Sequence, residues 1–120
     1  MNNMKNFRIE EFDSPDLIGS GELMDRDFLF MLDKARDLAG TSFVITSGYR
    51  TEGHNAKVGG VPNSSHRKGL ACDIACSDSR KRSNIITALL EAGFTRIGVA
   101  SSFIHVDNDL DKSQDVIWTY

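Results

Sequence analysis

A chain of 120 residues with 40% hydrophobic side chains has the size and apolar content of one small core, so a second domain is excluded and residues 1–120 are predicted to form a single domain. The 14 basic and 17 acidic residues give a net charge of −3, which makes nucleic acid an unsuitable partner. No apolar run approaches the roughly 20 residues that cross a bilayer, and the polar start of the chain lacks the apolar core of a signal peptide. We therefore expect a monomer that begins in the cytoplasm and has no integral membrane segment.

The first half of the chain is predicted to contain one long helix and one short strand. Apolar residues recur at helical spacing between positions 23 and 39, and Gly40 follows where a left-handed cap ends a helix. Residues 43–46 predict a short strand, and Glu52–Lys57 adds one helical turn. The stretch 58–65 reads VGGVPNSS and predicts a surface loop, because its glycine, proline, asparagine and serine residues favour turns.

The second half is predicted to combine four strands with one helix. Residues 70–76 alternate as a strand that carries Asp73 on the face opposite Cys72 and Cys76, which we expect to be buried free thiols. Asp78 can cap a helix that ends at Gly93. Further strands are predicted at 96–100, at Phe103–Asp107 and, as a closing edge strand, at 116–120. The predicted class is α+β, a small antiparallel sheet of four to five strands with helices packed on it.

Two histidines and one aspartate form a candidate metal site. His66 and Asp73 are seven positions apart with Gly69 between them, and His105 lies in the apolar run FIHVD. A catalytic zinc ion takes three nitrogen or oxygen ligands and keeps a fourth position open. If the strands that carry Asp73 and His105 pair, the three side chains can converge on one ion. In the alternative, the three residues bind no metal. His66 is then a surface loop residue, His105 a hydrogen-bonded strand histidine, and Asp73 a turn acid near Lys68.

Three motifs together resemble a known family. The first is the pattern S-x-H-x-x-G-x-A-x-D, which is met by Ser64, His66, Gly69, Ala71 and Asp73. The others are the upstream segment ITSGYRT, which contains Arg50, and the run FIHVD, which contains His105. Over about residues 42–107 the chain resembles the zinc D-alanyl-D-alanine peptidases, a group that includes lysostaphin-type enzymes and the hedgehog signalling domain.

The resemblance implies a hedgehog-like or D-Ala-D-Ala peptidase-like fold and one zinc ion held by His66, Asp73 and His105. It also implies that Arg50 faces the substrate and that Ser64 lies close to it. The partners it implies are stem peptides of peptidoglycan.

The identity of the general base is open. Many members of the resembled family carry an acid three residues before the last histidine, where this chain has Ser102. Serine cannot take the proton of the attacking water unaided. We nominate Asp107 as the catalytic base, with Asp109 behind it. In the alternative, Asp107 accepts a hydrogen bond from the ligand histidine and orients its ring.

Arg50 and three polar neighbours are the remaining candidates. The Arg50 guanidinium can hold a terminal carboxylate or steady a carbonyl oxygen, and its alternative role is a structural ion pair. Ser64 can donate to a substrate carboxylate or cap its loop. We expect Asn55 to orient the glycine loop and His54 to face solvent or the rim of the site, and neither is a predicted metal ligand.

These observations predict a zinc peptidase that cleaves next to D-alanine in peptidoglycan, as a carboxypeptidase or an endopeptidase. The small size suits a phage or prophage lysis enzyme that reaches the cell wall with outside help. The second hypothesis is a catalytically inactive, zinc-stabilised binding domain of the same fold. A phosphate or sugar hydrolase is a remote third, because no pair of carboxylates at glycosidase spacing is recognisable.

Overall fold

Five strands form one sheet in the computed structural model, which describes residues 4–120 and leaves the first three residues of the predicted domain outside its range. The strands are β1 (Ile45–Ser47), β2 (Ala71–Ala75), β3 (Arg96–Val99), β4 (Phe103–Asp107) and β5 (Val116–Thr119). The helices are α1 (Arg26–Ala39), α2 (Glu52–Lys57) and α3 (Ser79–Glu91), and short 3-10 turns lie at Ile9–Phe12, Ser20–Leu23 and Ser65–Lys68. The predicted α+β class is confirmed. Within residues 4–120, none of the helices is both long and apolar enough to cross a bilayer.

Helix α1 is bounded by two capping residues. The Asp25 side chain accepts a hydrogen bond from the Phe28 amide at 2.9 Å, and Gly40 adopts a left-handed conformation with a φ of 65°. The predicted helix end at Gly40 is therefore confirmed. The predicted start near Leu23 is wrong, because Ser20–Leu23 forms a 3-10 turn and the Leu23 side chain is exposed.

Helices α1 and α3 pack together and cover one face of the sheet. Asp78 caps α3 as predicted, accepting a hydrogen bond from the Lys81 amide at 2.8 Å. The helices and the covered face of the sheet share one buried cluster, which includes Phe28, Leu32, Cys72, Ile74, Ile85, Leu89, Ile97, Ile104 and Val106. Burial of these apolar side chains is the main stabilising term of the fold. The other face of the sheet is left free to carry polar residues.

The alternation of side chains along β2 separates the core from the polar face. Cys72 and Ile74 are fully buried in the core, and Cys72 and Cys76 are both free thiols, as expected. Asp73 lies between them in sequence and therefore points to the opposite face. The same rule places His105 of β4 on that face, because its neighbours Ile104 and Val106 belong to the core.

The sheet is mixed, so the prediction of an antiparallel sheet is wrong at one edge. The strand order is β1-β2-β4-β3-β5, and β5 pairs in parallel with β3, while the other pairs are antiparallel. Strand β4 already has β2 on one side and β3 on the other. The chain reverses direction after β4 and adds β5 at the free edge of β3, where it runs parallel to β3 because β3 is itself antiparallel to β4.

A buried carboxylate joins the 3-10 turn before β2 to the loop after β4. The Asp109 side chain is 1% exposed and accepts hydrogen bonds from Ser65 Oγ at 2.7 Å and from Lys68 Nζ at 2.9 Å. Lys112 Nζ lies 3.7 Å from the same carboxylate. Burial alone would raise the pKa of Asp109, but these hydrogen bonds outweigh burial and lower the pKa to about 2.

We predict that Gly69→Ala lowers the free energy of unfolding by about 2–3 kcal/mol, measured by urea denaturation. Gly69 has a φ of 72°, and a Cβ atom there would overlap the carbonyl oxygen of Leu23. Gly40→Ala is the matched control, because Gly40 has a similar φ of 65° but nothing within 4 Å of the added atom. The control is expected to cost about 1 kcal/mol. Equal losses for the two variants would contradict the close packing of Gly69.

We predict that Asp109 stabilises the fold above pH 4 and that this contribution disappears as the pH falls toward 2. The folded-state pKa of Asp109 lies below its ordinary value, so protonation in acid favours the unfolded chain. In the presence of a chelator, Asp109→Asn should lower the free energy of unfolding by about 2 kcal/mol at pH 5.5, and the loss should shrink in acid. Asp111→Asn is the control, because the Asp111 side chain is 86% exposed. A loss that is independent of pH would contradict this role of Asp109.

Candidate metal centre

Three side chains that the sequence singled out converge on the polar face of the sheet. Asp73 and His105 are direct partners in the antiparallel pairing of β2 with β4, which places their side chains next to each other. His105 Nδ1 lies 3.0 Å from Asp73 Oδ1, and His66 Nε2 lies 3.4 Å from the same oxygen. One ligand atom from each residue fits within 4.8 Å of the others. The two strands and the preceding turn thus bring the predicted ligands together.

His66 is placed by a short 3-10 turn rather than by the end of the predicted loop. The Ser64 hydroxyl accepts a hydrogen bond from the His66 amide at 3.2 Å, and Gly69 ends the turn in the left-handed conformation. His66 Nδ1 lies 2.9 Å from the carbonyl oxygen of Gly48. Because a carbonyl can only accept, Nδ1 donates its proton to Gly48, and Nε2 is the ring nitrogen that faces the centre.

His105 is held from behind by Asp107. His105 Nε2 donates to Asp107 Oδ2 at 2.7 Å, which leaves Nδ1 facing Asp73. Asp107 is 1% exposed, and its other carboxylate oxygen accepts from Arg96 Nε at 2.7 Å. Both oxygens are therefore committed to hydrogen bonds. This geometry favours the orienting role of Asp107 over the role of general base.

Arg96 was missed by the sequence analysis. Its guanidinium pairs with Asp107 and also donates from Nη1 to the carbonyl oxygen of Ser113 at 2.6 Å. Arg96 and Asp107 are register partners in neighbouring antiparallel strands. Strands β3 and β4 and the short serine turn between them were predicted. Pairing the residues of the two strands outward from that turn would have placed Arg96 opposite Asp107.

The electrostatics of the cluster favour a positive charge at its centre. Burial alone would raise the pKa of Asp73, but hydrogen bonds from His105 and His66 outweigh burial and hold that pKa well below its ordinary value. Burial alone would lower the pKa of His105, but the carboxylates of Asp107 and Asp73 raise it above the ordinary value. The positive charge can be a proton on the imidazole or a divalent cation.

The donor set fits zinc. Two imidazole nitrogens and one carboxylate oxygen are ligands that zinc takes in catalytic sites, and three protein ligands leave one position open. The nitrogen of each histidine that points away from the centre has its own acceptor, the Gly48 carbonyl for His66 and the Asp107 carboxylate for His105. Such acceptors fix the ring orientation and raise the basicity of a ligand histidine.

Arg50 borders the centre beside Asp73. Its Nη2 atom lies 3.7 Å from Asp73 Oδ2, Nε donates to Ser47 Oγ at 3.2 Å, and Nη1 donates to Asn55 Oδ1 at 3.3 Å. Asn55 also donates to the carbonyl oxygen of Val61 at 2.8 Å, which agrees with its expected role in orienting the glycine loop. The guanidinium is thus fixed at the edge of the site.

A half-open cleft of about 370 Å³ lies over the candidate ligands. Arg50 and Ser64 line it, together with side chains that the sequence analysis did not select: Phe103, Lys112, Trp118 and Tyr120. Asp107 lines the cleft as well. His54 lines a separate depression with Asp16, and the Asp109 carboxylate, which is bonded to Ser65 and Lys68, is not part of the cleft lining.

Comparison with known proteins agrees with this geometry. A search of curated proteins found no significant match. The model of the family described as Peptidase M15 matches residues 6–107, a range that contains all three candidate ligands and Arg50. The chain therefore belongs to the peptidase M15 family of zinc-dependent peptidases.

Proposed function

We propose that this protein hydrolyses peptide bonds next to D-alanine in the stem peptides of bacterial peptidoglycan, with one zinc ion held by His66, Asp73 and His105. The observation that carries the proposal is the convergence of these side chains in a cleft that Arg50 borders. D-Alanine bonds of this kind occur in the cell wall, so we place the site of action there. A phage or prophage lysis enzyme that reaches the wall with outside help would fit.

Each residue of the site has a defined task in this proposal. Zinc, when bound, lowers the pKa of a water molecule toward about 7 and polarises the carbonyl group under attack. Asp107 orients His105, and the Gly48 carbonyl orients His66. Arg50 binds the terminal carboxylate of the substrate through its guanidinium fork, or steadies the carbonyl oxygen during attack.

Ser64 contributes a short side chain beside the ligands. It is 6% exposed, lines the cleft, and already accepts a hydrogen bond from the His66 amide. A hydroxyl also has a proton to donate. We propose that Ser64 holds the turn of His66 and donates to the substrate carboxylate or carbonyl.

We predict that the zinc-loaded protein releases D-alanine from peptidoglycan or cuts its cross-links, and that His66→Ala loses both zinc and activity. Mass spectrometry of the digested muropeptides identifies the bond, and metal analysis measures the zinc. His54→Ala is the matched control, because His54 lies outside the cleft. It should keep both properties. Wild-type protein that binds zinc normally but leaves peptidoglycan and D-Ala-D-Ala peptides intact would sink the proposal.

A second candidate function is a zinc-stabilised binding domain without peptidase activity. The observation that favours it is the position of the acids. Ser102 occupies the position at which many members of the resembled peptidase family carry an acid. In addition, both carboxylate oxygens of Asp107 already accept hydrogen bonds, one from His105 and one from Arg96. A peptidase must deliver a proton to the leaving amine, so turnover of the zinc-loaded protein separates the two functions.

We predict that Asp107→Asn weakens zinc binding by about 10–100-fold and that turnover recovers at saturating zinc, because Asp107 orients His105. Zinc affinity is measured by competition with a chelator, and turnover is measured as a function of zinc concentration. Asp111→Asn is the control in the same loop and should change neither quantity. Unchanged zinc affinity with abolished turnover would instead identify Asp107 as the general base.

A further inference from the structure

Lys112 is a cation in the lining of the cleft that the metal centre does not use. It lies in the loop between β4 and β5, and its side chain is 22% exposed. Its Nζ atom donates a hydrogen bond to Ser65 Oγ at 2.9 Å, and Ser65 directly precedes the candidate ligand His66. The ammonium group is therefore held next to the turn that presents His66.

The loop that carries Lys112 is fixed by hydrogen bonds to its backbone. Arg96 Nη1 donates to the carbonyl oxygen of Ser113 at 2.6 Å. The Gln114 side chain donates to the carbonyl oxygens of Asp109 at 3.0 Å and of Lys112 at 2.8 Å. Because these bonds hold the loop in the free protein, a ligand that binds Lys112 does not have to order the loop first.

The carboxylate nearest to Lys112 is bound more closely by another cation. Lys68 Nζ donates to both oxygens of Asp109, at 2.9 Å and 3.1 Å, and the hydrogen bond with Asp109 raises the pKa of Lys68 above its ordinary value. Lys112 Nζ lies 3.7 Å from Asp109 Oδ2, which is too far for a hydrogen bond. Within residues 4–120, no other carboxylate lies within 4 Å of Lys112 Nζ. The positive charge of Lys112 is therefore only partly balanced.

The charges that line the cleft favour a negatively charged ligand. Among the described residues, the lining contains three cations and two carboxylates: Arg50, Arg96, Lys112, Asp73 and Asp107. Arg96 is paired with Asp107, and Arg50 lies 3.7 Å from Asp73. Lys112 is left without a carboxylate in the lining, and a bound zinc ion adds further positive charge. A carboxylate group of a ligand would balance the charge of Lys112.

We propose that Lys112 binds an internal carboxylate of the substrate, separate from the terminal carboxylate assigned to Arg50. The inference rests on the proposed function, in which the substrate is a stem peptide of peptidoglycan. A stem peptide of the diaminopimelate type carries two internal carboxylates, one on the γ-linked D-glutamate and one on diaminopimelate. The Arg50 guanidinium is held by Ser47 and Asn55, whereas the Lys112 ammonium is held by Ser65, so the two cations occupy separate positions.

Family membership does not by itself assign this task to Lys112. The match to the peptidase M15 family ends at residue 107, and Lys112 lies beyond it. The assignment is made from the partly balanced charge of Lys112 and from its place in the cleft lining.

Amidation of one carboxylate at a time tests which group Lys112 binds. The substrates are the pentapeptide L-Ala-γ-D-Glu-diaminopimelyl-D-Ala-D-Ala and its three single amides, at D-glutamate, at diaminopimelate and at the C-terminus. KM and kcat are measured with the zinc-loaded protein. For the wild-type protein, we expect amidation of an internal carboxylate to raise KM about tenfold and to leave kcat unchanged. Lys112→Met keeps the length of the side chain without its charge, so the variant should no longer distinguish that amide from the free acid.

Lys68→Met is the matched control, because Lys68 binds the same Asp109 carboxylate but is not part of the cleft lining. If Lys112 acted only by supporting Asp109, the two variants would behave alike. We expect Lys68→Met to keep the tenfold effect of amidation. Lys112→Arg should keep it as well, since arginine restores the positive charge. The zinc content of all three variants should equal that of the wild-type protein.

Three outcomes would overturn the assignment of Lys112. They are internal amides that do not raise KM in the wild-type protein, an equal effect of amidation in the wild-type protein and in Lys112→Met, and a loss of discrimination in Lys112→Met that concerns only the C-terminal amide. Failure of the proposed function gives a different result. In that case no pentapeptide is cleaved, but calorimetry still measures a Kd for each peptide, and Lys112→Met still removes the difference between the free acid and the internal amide. Peptides that neither bind nor react would overturn both proposals.

Discussion

The antiparallel register between β2 and β4 is the constraint on which the site depends. It makes Asp73 and His105 direct neighbours, and it also places Ile74 beside Ile104 in the core. Because side chains alternate along a strand, a slip of one residue in β4 would turn His105 into the core and bring Ile104 to the polar face. Burial of the apolar face therefore fixes the geometry of the polar face. The metal centre is placed by the hydrophobic core, not only by the attraction between its own charges.

The charged groups behind the centre explain why it can be buried. Acidic and basic side chains alternate in a row of hydrogen-bonded contacts of 2.7–3.0 Å. In order, they are Asp73, His105, Asp107 and Arg96. Each buried charge has a partner of opposite sign, which offsets the loss of solvation. Such a network fixes ring orientations better than a single pair, because each member limits the movement of the next. Arg96 thus acts on the candidate ligand His105 through Asp107, although it lies on a different strand.

The sequence predicted those features that depend on residues close to one another along the chain. The alternation in β2 and β4, the caps Asp78 and Gly40, and the candidate ligand set all follow from spacing and side-chain type. The parallel edge pairing of β5 could not be predicted this way, since it depends on β4 already having two neighbours. The 3-10 turn that presents His66 was missed because serine and proline before it also favour an irregular loop. The contact of Arg96 with Asp107 required the register of a strand pair, which spacing within one strand does not contain.

Different strands carry the side chains at the two ends of the cleft. The candidate ligands and the side chains that orient them lie on β2, β4, β3 and the turn before β2, and Gly48, whose carbonyl orients His66, follows β1. All of them lie within the part of the chain that matches the M15 family. Strand β5 pairs only with β3, and among its rings Trp118 alone approaches a candidate ligand. A change at Tyr120 can therefore alter the far wall of the cleft without moving His66, Asp73 or His105. The candidate ligands and the outer rings of the cleft are in this way carried by different strands, which meet where the Trp118 indole covers Gly98.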